Sequence, residues 1–479
     1  MEYQIAMRIA IAGNVDSGKS TTTGVLQSNC PDDGNGFARK SVFNYPHEII
    51  SGRTSSVAQR TIYLDNQEIR KKIIVYDMAG HQKYLRTTLY GFTFCKPHMA
   101  LILIECEKGI NKMTKEHILT AYYLDIPILF VITKMDMLGA QNKSVDLEPD
   151  DQNKTDKSKS ENKIPKTLTE KYKKTITDIL SLSKVLKKKV FEIKSEKDVN
   201  LCVSNFKTIY PIIKISNVDL TNPKYPIQYL KQYLTQISTI SRIYDISNNQ
   251  NTQNPQNTEY TTDTKQPNIN QTIFMIEKSF AVKGFPLIAS GYMKSGVIKL
   301  NQNKSKETIQ YYIGPFGGFN PQLYPITIRS IHDDDKHTID ILRMDEVGCV
   351  AFSSVGNLIA NKKLLRSGMI ITDNPKLNFY RYFTASVNII PGNHTTLKKD
   401  SMLFIHCNMI RQSVFLNKII YANKEVDIAR YNCNQESIYT IHFEFATRSN
   451  YLSVGDIFLF REGKIHGCGT VLSLSLTKF

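Results

Sequence analysis

Up to about residue 245, short runs of consecutive apolar residues alternate with stretches in which apolar residues recur every three or four positions. Ile73-Ile74-Val75-Tyr76, Ala100-Leu101-Ile102-Leu103-Ile104, Ile128-Leu129-Phe130-Val131-Ile132 and Ile212-Ile213-Lys214-Ile215 have strand length and the near-continuous apolar character of strands buried on both faces. Residues 115–124 and 226–237 carry helical spacing instead. Strands alternating with helices predict an α/β domain: a mainly parallel sheet with helices on both faces, binding ligands beyond the carboxyl ends of its strands. Past Thr272 the pattern changes to short runs rich in Val, Ile, Tyr and Phe between Gly, Asn and Asp turns, with little helical periodicity. That is the pattern of all-β barrels or sandwiches.

Polar stretches divide this plan. Residues 141–166, rich in Asp, Asn, Lys and Ser, and 248–270, rich in Asn, Gln and Thr, carry too little apolar surface to offset ordering entropy. The expected organisation is a first domain over 1–245 interrupted by the insertion 141–166, a linker over 246–271, and two antiparallel β domains over 272–375 and 376–479, parted near Asp373-Asn374-Pro375. A length of 479 residues suits about three domains.

Eight cysteines without a Cys-x-x-Cys pair or regular spacing read as reduced thiols rather than a disulfide frame or zinc site. Apolar runs such as 126–133 are too short to span a bilayer, and the first residues run straight into a strand without the form of a signal peptide. A soluble, cytoplasmic monomer, free of membrane, is the expectation. The net charge of +17 favours polyanionic partners such as nucleic acid or the ribosome.

The candidate chemistry begins where the first apolar run ends. Gly13-Asn14-Val15-Asp16-Ser17-Gly18-Lys19-Ser20 has the GxxxxGK[ST] form of a phosphate-binding loop, and Thr21 opens the helix after it. Glycines 13 and 18 let successive N–H groups face one anion. Lys19 adds charge for β- and γ-phosphates, and the Ser20 hydroxyl is a Mg²⁺ ligand. Such a loop alone leaves kinases, ATPases, GTPases and helicases open. Asp77-Met78-Ala79-Gly80-His81 follows a buried strand; Asp77 is placed to hold Mg²⁺ through water, and the Gly80 N–H to sense the γ-phosphate. Thr133-Lys134-Met135-Asp136 follows a later strand. Asp136 matches the two guanine donors, N1–H and the exocyclic amine, while the Lys134 stem lies along the base; adenine would leave the carboxylate unpaired. Thr133 occupies the place of the usual Asn. Ser216-Asn217 fits the last base-contacting loop, where backbone N–H groups meet guanine O6. Four elements in this order imply a GTPase that converts GTP and water to GDP and phosphate.

On these residues the chain resembles the translational GTPases, such as elongation factors Tu and 1-alpha, and within them the GTP-binding protein one/two branch. The resemblance is carried by 13–21, by 33–39 (Asp-Gly-Asn-Gly-Phe-Ala-Arg), by 47–57, 77–88 and 113–117, and near the end by 405–412 and 460–464. It implies two β-barrels after the GTP-binding domain. It further implies that Thr54 is the switch threonine holding Mg²⁺ and the γ-phosphate, that His81 orients the attacking water, and that Asp16 helps bind a monovalent cation. Arg53 stands where many elongation factors carry an isoleucine that gates the histidine opposite Val15; it either faces solvent or RNA or stabilises transition-state charge. The implied role is a GTP-switched factor acting with tRNA and the ribosome. The other role is a GTP-switched module that recruits RNA-decay or surveillance proteins without delivering tRNA. His117 and His406 read as structural residues rather than catalytic or metal-binding ones.

Overall fold

The computed structural model describes residues 7–43, 48, 57–66, 69–137, 166–248, 271–300, 309–354, 362–389, 399–422, 424–426, 438–462 and 465–478. The chain divides into two compact units, Met1–Gln256 and Asn257–Phe479. In the first, the strands are β1 (Met7–Gly13), β2 (Ala58–Asn66), β3 (Ile69–Asp77), β4 (Met99–Glu105), β5 (Ile128–Thr133), β6 (Lys189–Glu192) and β7 (Ile209–Lys214). They form one sheet in the order β2-β3-β1-β4-β5-β7-β6, parallel throughout except for the antiparallel edge pair β2–β3.

Every residue of β1, β4 and β5 is buried because helices cover both sheet faces. Ile9, Ile11, Leu101, Leu103 and Val131 face a core completed by α1 (Lys19–Ser28), α5 (Glu196–Ser204) and α6 (Ile227–Asn248). Ala10, Ala12, Ile102, Ile104 and Ile132 face the opposite core with α2 (Leu85–Phe94), α3 (Lys112–Tyr123) and α4 (Lys166–Val185). The alternation of neighbouring side chains between the two cores is the period-two geometry of a strand. Asn111 caps α3 by accepting from Thr114 N–H at 3.0 Å, and Ser195 caps α5 while its hydroxyl donates to Asp198.

Helix α4 begins at Lys166, the final residue of the segment expected to lack structure; residues 141–165 lie outside the described ones. Its apolar positions Ile179 and Leu182 join the second core, and that burial is what orders a lysine-rich segment. Helix α6 likewise runs on to Asn248, while 249–270 lie outside the described residues.

The second unit holds two closed six-stranded antiparallel barrels, which settles the choice between barrels and sandwiches. In the first, β8 (Ile273–Val282), β9 (Phe285–Ser295), β11 (Tyr311–Phe316), β12 (Gln322–Asp333), β15 (Val347–Ser354) and β16 (Ile370–Thr372) pair as β11-β16-β8-β9-β15-β12, and β12 pairs back to β11. Short strands β10 (Val297–Lys299) and β14 (Ile341–Arg343) pair with each other, and β13 (Thr338–Ile339) pairs with β12. In the second, β17 (Tyr382–Ile389), β18 (Met402–Cys407), β19 (Ile410–Tyr421), β21 (Ile438–Phe445), β22 (Ile457–Glu462) and β23 (Ile465–Ser475) pair as β18-β22-β23-β17-β21-β19, and β19 closes onto β18, with the short strand β20 (Lys424–Glu425) on the end of β19. Phe383 centres its core, 5.0 Å from the Phe443 ring, 5.3 Å from Phe445 and 5.8 Å from Phe458. The Lys294 ammonium on β9 reaches Asp456, just before β22, at 2.7 Å and lies 5.3 Å from the Tyr451 ring centre, joining one barrel to the other.

Candidate functional site

Strand β1 ends at Gly13, and the chain then curls through Gly13 (φ 147°), Asp16 (φ 62°) and Gly18 (φ 83°) before α1 starts at Lys19. A side chain at Gly13 would overlap the Leu103 carbonyl of the neighbouring strand, so only glycine fits. The Lys19 side chain is buried, with its ammonium 2.5 Å from the Asn14 carbonyl. Burial pushes its pKa down, against the opposing pull of Asp77 and Asp16. The Ser20 hydroxyl donates to Asp77 Oδ2 at 2.5 Å, bringing the ends of β1 and β3 together. Gly80 lies so close to the Lys19 ammonium and the Asn14 carbonyl that any side chain there would strike both.

Gly13 N–H donates to His117 Nδ1 at 3.1 Å. Burial, and after it the charge on Lys19, pushes the His117 pKa down to about 3, so the ring is neutral and accepts. This agrees with the structural role expected for His117. The signal missed in the sequence is its place on α3, which packs against β1.

On the base side, Asp136 Oδ1 accepts from the Ser216 hydroxyl at 2.8 Å, and Ser216 Oγ in turn accepts from Asp219 N–H at 3.1 Å. The Ser216 N–H donates to Tyr225 O at 3.4 Å, so what this residue offers the site is its side chain, set to aim Asp136. Lys134, at φ 60°, is held by Glu105 at 3.0 Å. Glu105, at the carboxyl end of β4, was not singled out from sequence. Asn217 Nδ2 donates to Thr22 Oγ1 at 2.9 Å, tying the base loop to α1. Thr133 is fully buried, and its hydroxyl donates to the Ser17 carbonyl at 2.9 Å. The residue in the place of the usual Asn thus ties the end of β5 to the phosphate loop.

These elements border one cavity of about 610 Å³. Val15, Asp16, Gly18, Lys19, Ser20 and Thr21 form its phosphate side with Gly80 and His81; Lys134, Asp136 and Asn217 form its base side. Gly13, Asn14, Ser17, Asp77, Thr133 and Ser216 stand behind this lining, in contact with it. Five residues from 32–39 also line the cavity, together with Met137 and Val218. Arg53 and Thr54 lie outside the described residues. His81 sits at the cavity edge with Nδ1 accepting from Lys83 N–H at 3.1 Å, which leaves Nε2 as its free nitrogen among the described residues.

The donor set suits a magnesium nucleotide. Ser20 and Asp77 supply hard oxygen ligands, and the buried Lys19 ammonium calls for an anion. Asp16 adds a carboxylate to the wall for the cation expected there. Among the described residues no helix is long and apolar enough to cross a membrane.

Residues 4–236 match the family model described as the elongation factor Tu GTP binding domain. Over 98% of its length the chain is 28% identical to GTP-binding protein 1 of Xenopus laevis, of which it covers 64%. Over 97% it is 26% identical to GTP-binding protein 2 of Homo sapiens, of which it covers 69%. The chain therefore spans about two thirds of the length of these relatives. Among solved structures it is similar to the S. cerevisiae Ski7 GTPase-like domain bound to GTP, with TM-score 0.62, 13% identity and coverage of 98% of this chain and 97% of that one. It is also similar to a bacterial selenocysteine-specific elongation factor, with TM-score 0.60, 14% identity and coverage of 98% and 58%. At such identities these two likenesses speak for the fold alone. Taken with the matched GTP-binding domain and the two relatives, the ordered loops around this cavity make the chain similar to the translational GTPases.

Proposed function

We propose that the chain binds Mg²⁺·GTP, hydrolyses it to GDP and phosphate, and in its GTP form acts with tRNA and the ribosome. The observation that carries the nucleotide part is a single cavity with the buried Lys19 at one end and the Ser216-aimed carboxylate of Asp136 at the other. Asp136 accepts guanine N1–H and the exocyclic amine, and Lys134, fixed by Glu105, lays its stem along the base. The N–H groups of 13–18 and the Lys19 ammonium take the phosphates. Ser20 directly, and Asp77 through water, would hold Mg²⁺, which would supply charge neutralisation for the phosphates. His81, through Nε2, orients the water that attacks the γ-phosphate in line. Thr54, by resemblance, completes the γ-phosphate contacts.

Exchange of the base partner tests the nucleotide reading. Asp136→Asn replaces an acceptor by a donor, suiting xanthine O2 instead of the guanine amine. Its GTP affinity is expected to fall by about a hundred-fold or more while XTP affinity rises. Calorimetry showing unchanged GTP binding would remove Asp136 from the base site.

The net charge of +17 and the two-barrel architecture support action on RNA. Ribosomes are expected to stimulate hydrolysis by the wild type and not by His81→Ala, and charged tRNA is expected to bind the GTP form more tightly than the GDP form. The fold shared with the Ski7 GTPase-like domain over nearly all of both chains suits equally a second reading, a GTP-switched module that recruits RNA-decay or surveillance proteins. That reading expects nucleotide binding with no ribosomal stimulation.

A further inference from the structure

The segment Asp32-Asp33-Gly34-Asn35-Gly36-Phe37-Ala38-Arg39 has no part in the reaction described above, yet it is tightly built. Buried Asp32 accepts from Ala38 N–H at 2.8 Å through Oδ1 and from Gly34 N–H at 3.2 Å and Gly36 N–H at 3.3 Å through Oδ2. Asp33 Oδ1 accepts from Asn35 N–H at 2.8 Å and Phe37 N–H at 3.0 Å. Such side-chain-to-backbone bonds fix a loop that glycine alone would leave loose.

The loop is anchored at both ends of the nucleotide cavity. Asp32 N–H donates to the Asn217 carbonyl of the base loop at 2.8 Å. The Ala38 carbonyl rests on Gly24 of α1, so closely that any side chain at Gly24 would overlap it. Gly24 lies one helical turn beyond Ser20, on the same face. Farther on, Arg60 donates to the Ser41 carbonyl at 3.1 Å and the Val42 carbonyl at 2.6 Å, fastening the chain after the loop to β2.

Within this frame Gly36, at φ 89°, is buried, and a side chain there would overlap the Arg39 guanidinium. Arg39 therefore rests on bare backbone at the cavity wall, and both residues line the cavity with Ser20 and Thr21. Among the described residues the Arg39 guanidinium has no hydrogen-bond or ion-pair partner. A half-buried guanidinium seated by a glycine on a pinned loop, without a protein acceptor, is built for an anionic ligand.

Resting on the guanine-nucleotide reading, we infer that Arg39 binds the α-phosphate of the bound nucleotide. The loop's two anchors, the base loop and the α1 face below Ser20, put the guanidinium beside the stretch that joins base and phosphate ends. A contact at the α-phosphate is present in GTP and GDP alike. Arg39 then sets affinity for both nucleotides and leaves the γ-phosphate chemistry to Lys19 and His81.

Calorimetry of the full chain with unlabelled GDP and a non-hydrolysable GTP analogue tests this. Arg39→Ala is expected to weaken both by the same factor, about ten- to a hundred-fold, with the melting temperature of the nucleotide-free protein unchanged. Arg39→Lys is expected to recover part of the loss, and Gly36→Ala, which displaces the guanidinium, to weaken both nucleotides in the same way. Unchanged affinities in Arg39→Ala would overturn the assignment. So would a loss confined to the triphosphate analogue, or a fall in the melting temperature of the nucleotide-free Arg39→Ala protein. Failure of the wild type to bind either nucleotide would instead sink the guanine-nucleotide reading, whatever Arg39 does.

Discussion

His117 shows how one buried side chain couples pH to the phosphate loop. Its folded pKa, about 3, lies below the ordinary histidine value of 6.5, so the folded state holds it neutral while the unfolded chain protonates it. The stability it contributes is complete above about pH 6.5 and is lost as pH falls toward 3, at up to about 1.4 kcal/mol per pH unit. His117→Asn keeps an acceptor for the Gly13 N–H without titrating. Its melting temperature is expected to fall less than the wild type's between pH 7 and pH 4; parallel curves would remove His117 as the titrating group. On the proposed nucleotide reading Lys19 is the complementary case, a buried cation whose anion would be the ligand. Lys19→Met removes a charge-assisted phosphate contact and is expected to cost GTP affinity at least ~100-fold, read by equilibrium binding. Lys19 was legible in the sequence because its motif is contiguous. The task of His117 was not, because its partner Gly13 lies 104 residues away.

At the scale of elements, the central strands β1, β3, β4, β5 and β7 were readable because burial on both faces leaves few polar positions to interrupt an apolar run, whereas the partly exposed edge strand β6 was not read. Helix α4 was only half readable. Its polar start looks like the low-complexity stretch before it, and the core that orders it becomes visible only when Ile179 and Leu182 meet the sheet. Contact between α1 and the 32–41 segment depends on Gly24, where the Ala38 carbonyl occupies the space of a side chain. Gly24→Val forces the two apart. It is expected to destabilise the first unit by about 1–3 kcal/mol in urea unfolding and to weaken nucleotide binding as well. Wild-type stability in this variant would show that the segment yields freely.

Over the whole molecule, the two barrels of the second unit share a buried charge pair. Burial lowers the Lys294 pKa, but Asp456 and Tyr451 outweigh it and hold the ammonium above its ordinary value of 10.5. While Asp456 is ionised, the ammonium's contribution is therefore complete below about pH 10.5 and is lost as pH rises through the folded value. Lys294→Met leaves Asp456 buried without its cation and is expected to cost about 3–5 kcal/mol in denaturant unfolding. The double change Lys294→Met with Asp456→Leu is expected to recover most of that. If the single change costs nothing, the pair does not hold the barrels together.

By itself the sequence determined what is local: the phosphate loop and its glycines, the Asp77-to-His81 turn, the strand-ending Asp136 and the change from α/β to all-β near residue 272. These depend on residue type and short spacing, which the chain carries wherever it folds. The tertiary structure decided what joins them. Thr133 reaches Ser17 across 116 positions, Ser216 reaches Asp136 across 80, and Asn217 reaches Thr22 across 195. Each of these contacts follows from the register of parallel strands whose carboxyl ends meet at one edge of the sheet. The Gly-Asn-Gly segment could be quoted from the sequence as a mark of kinship. Its arginine gained a place on the cavity wall only when the two anchors, to Asn217 and to Gly24, brought it there.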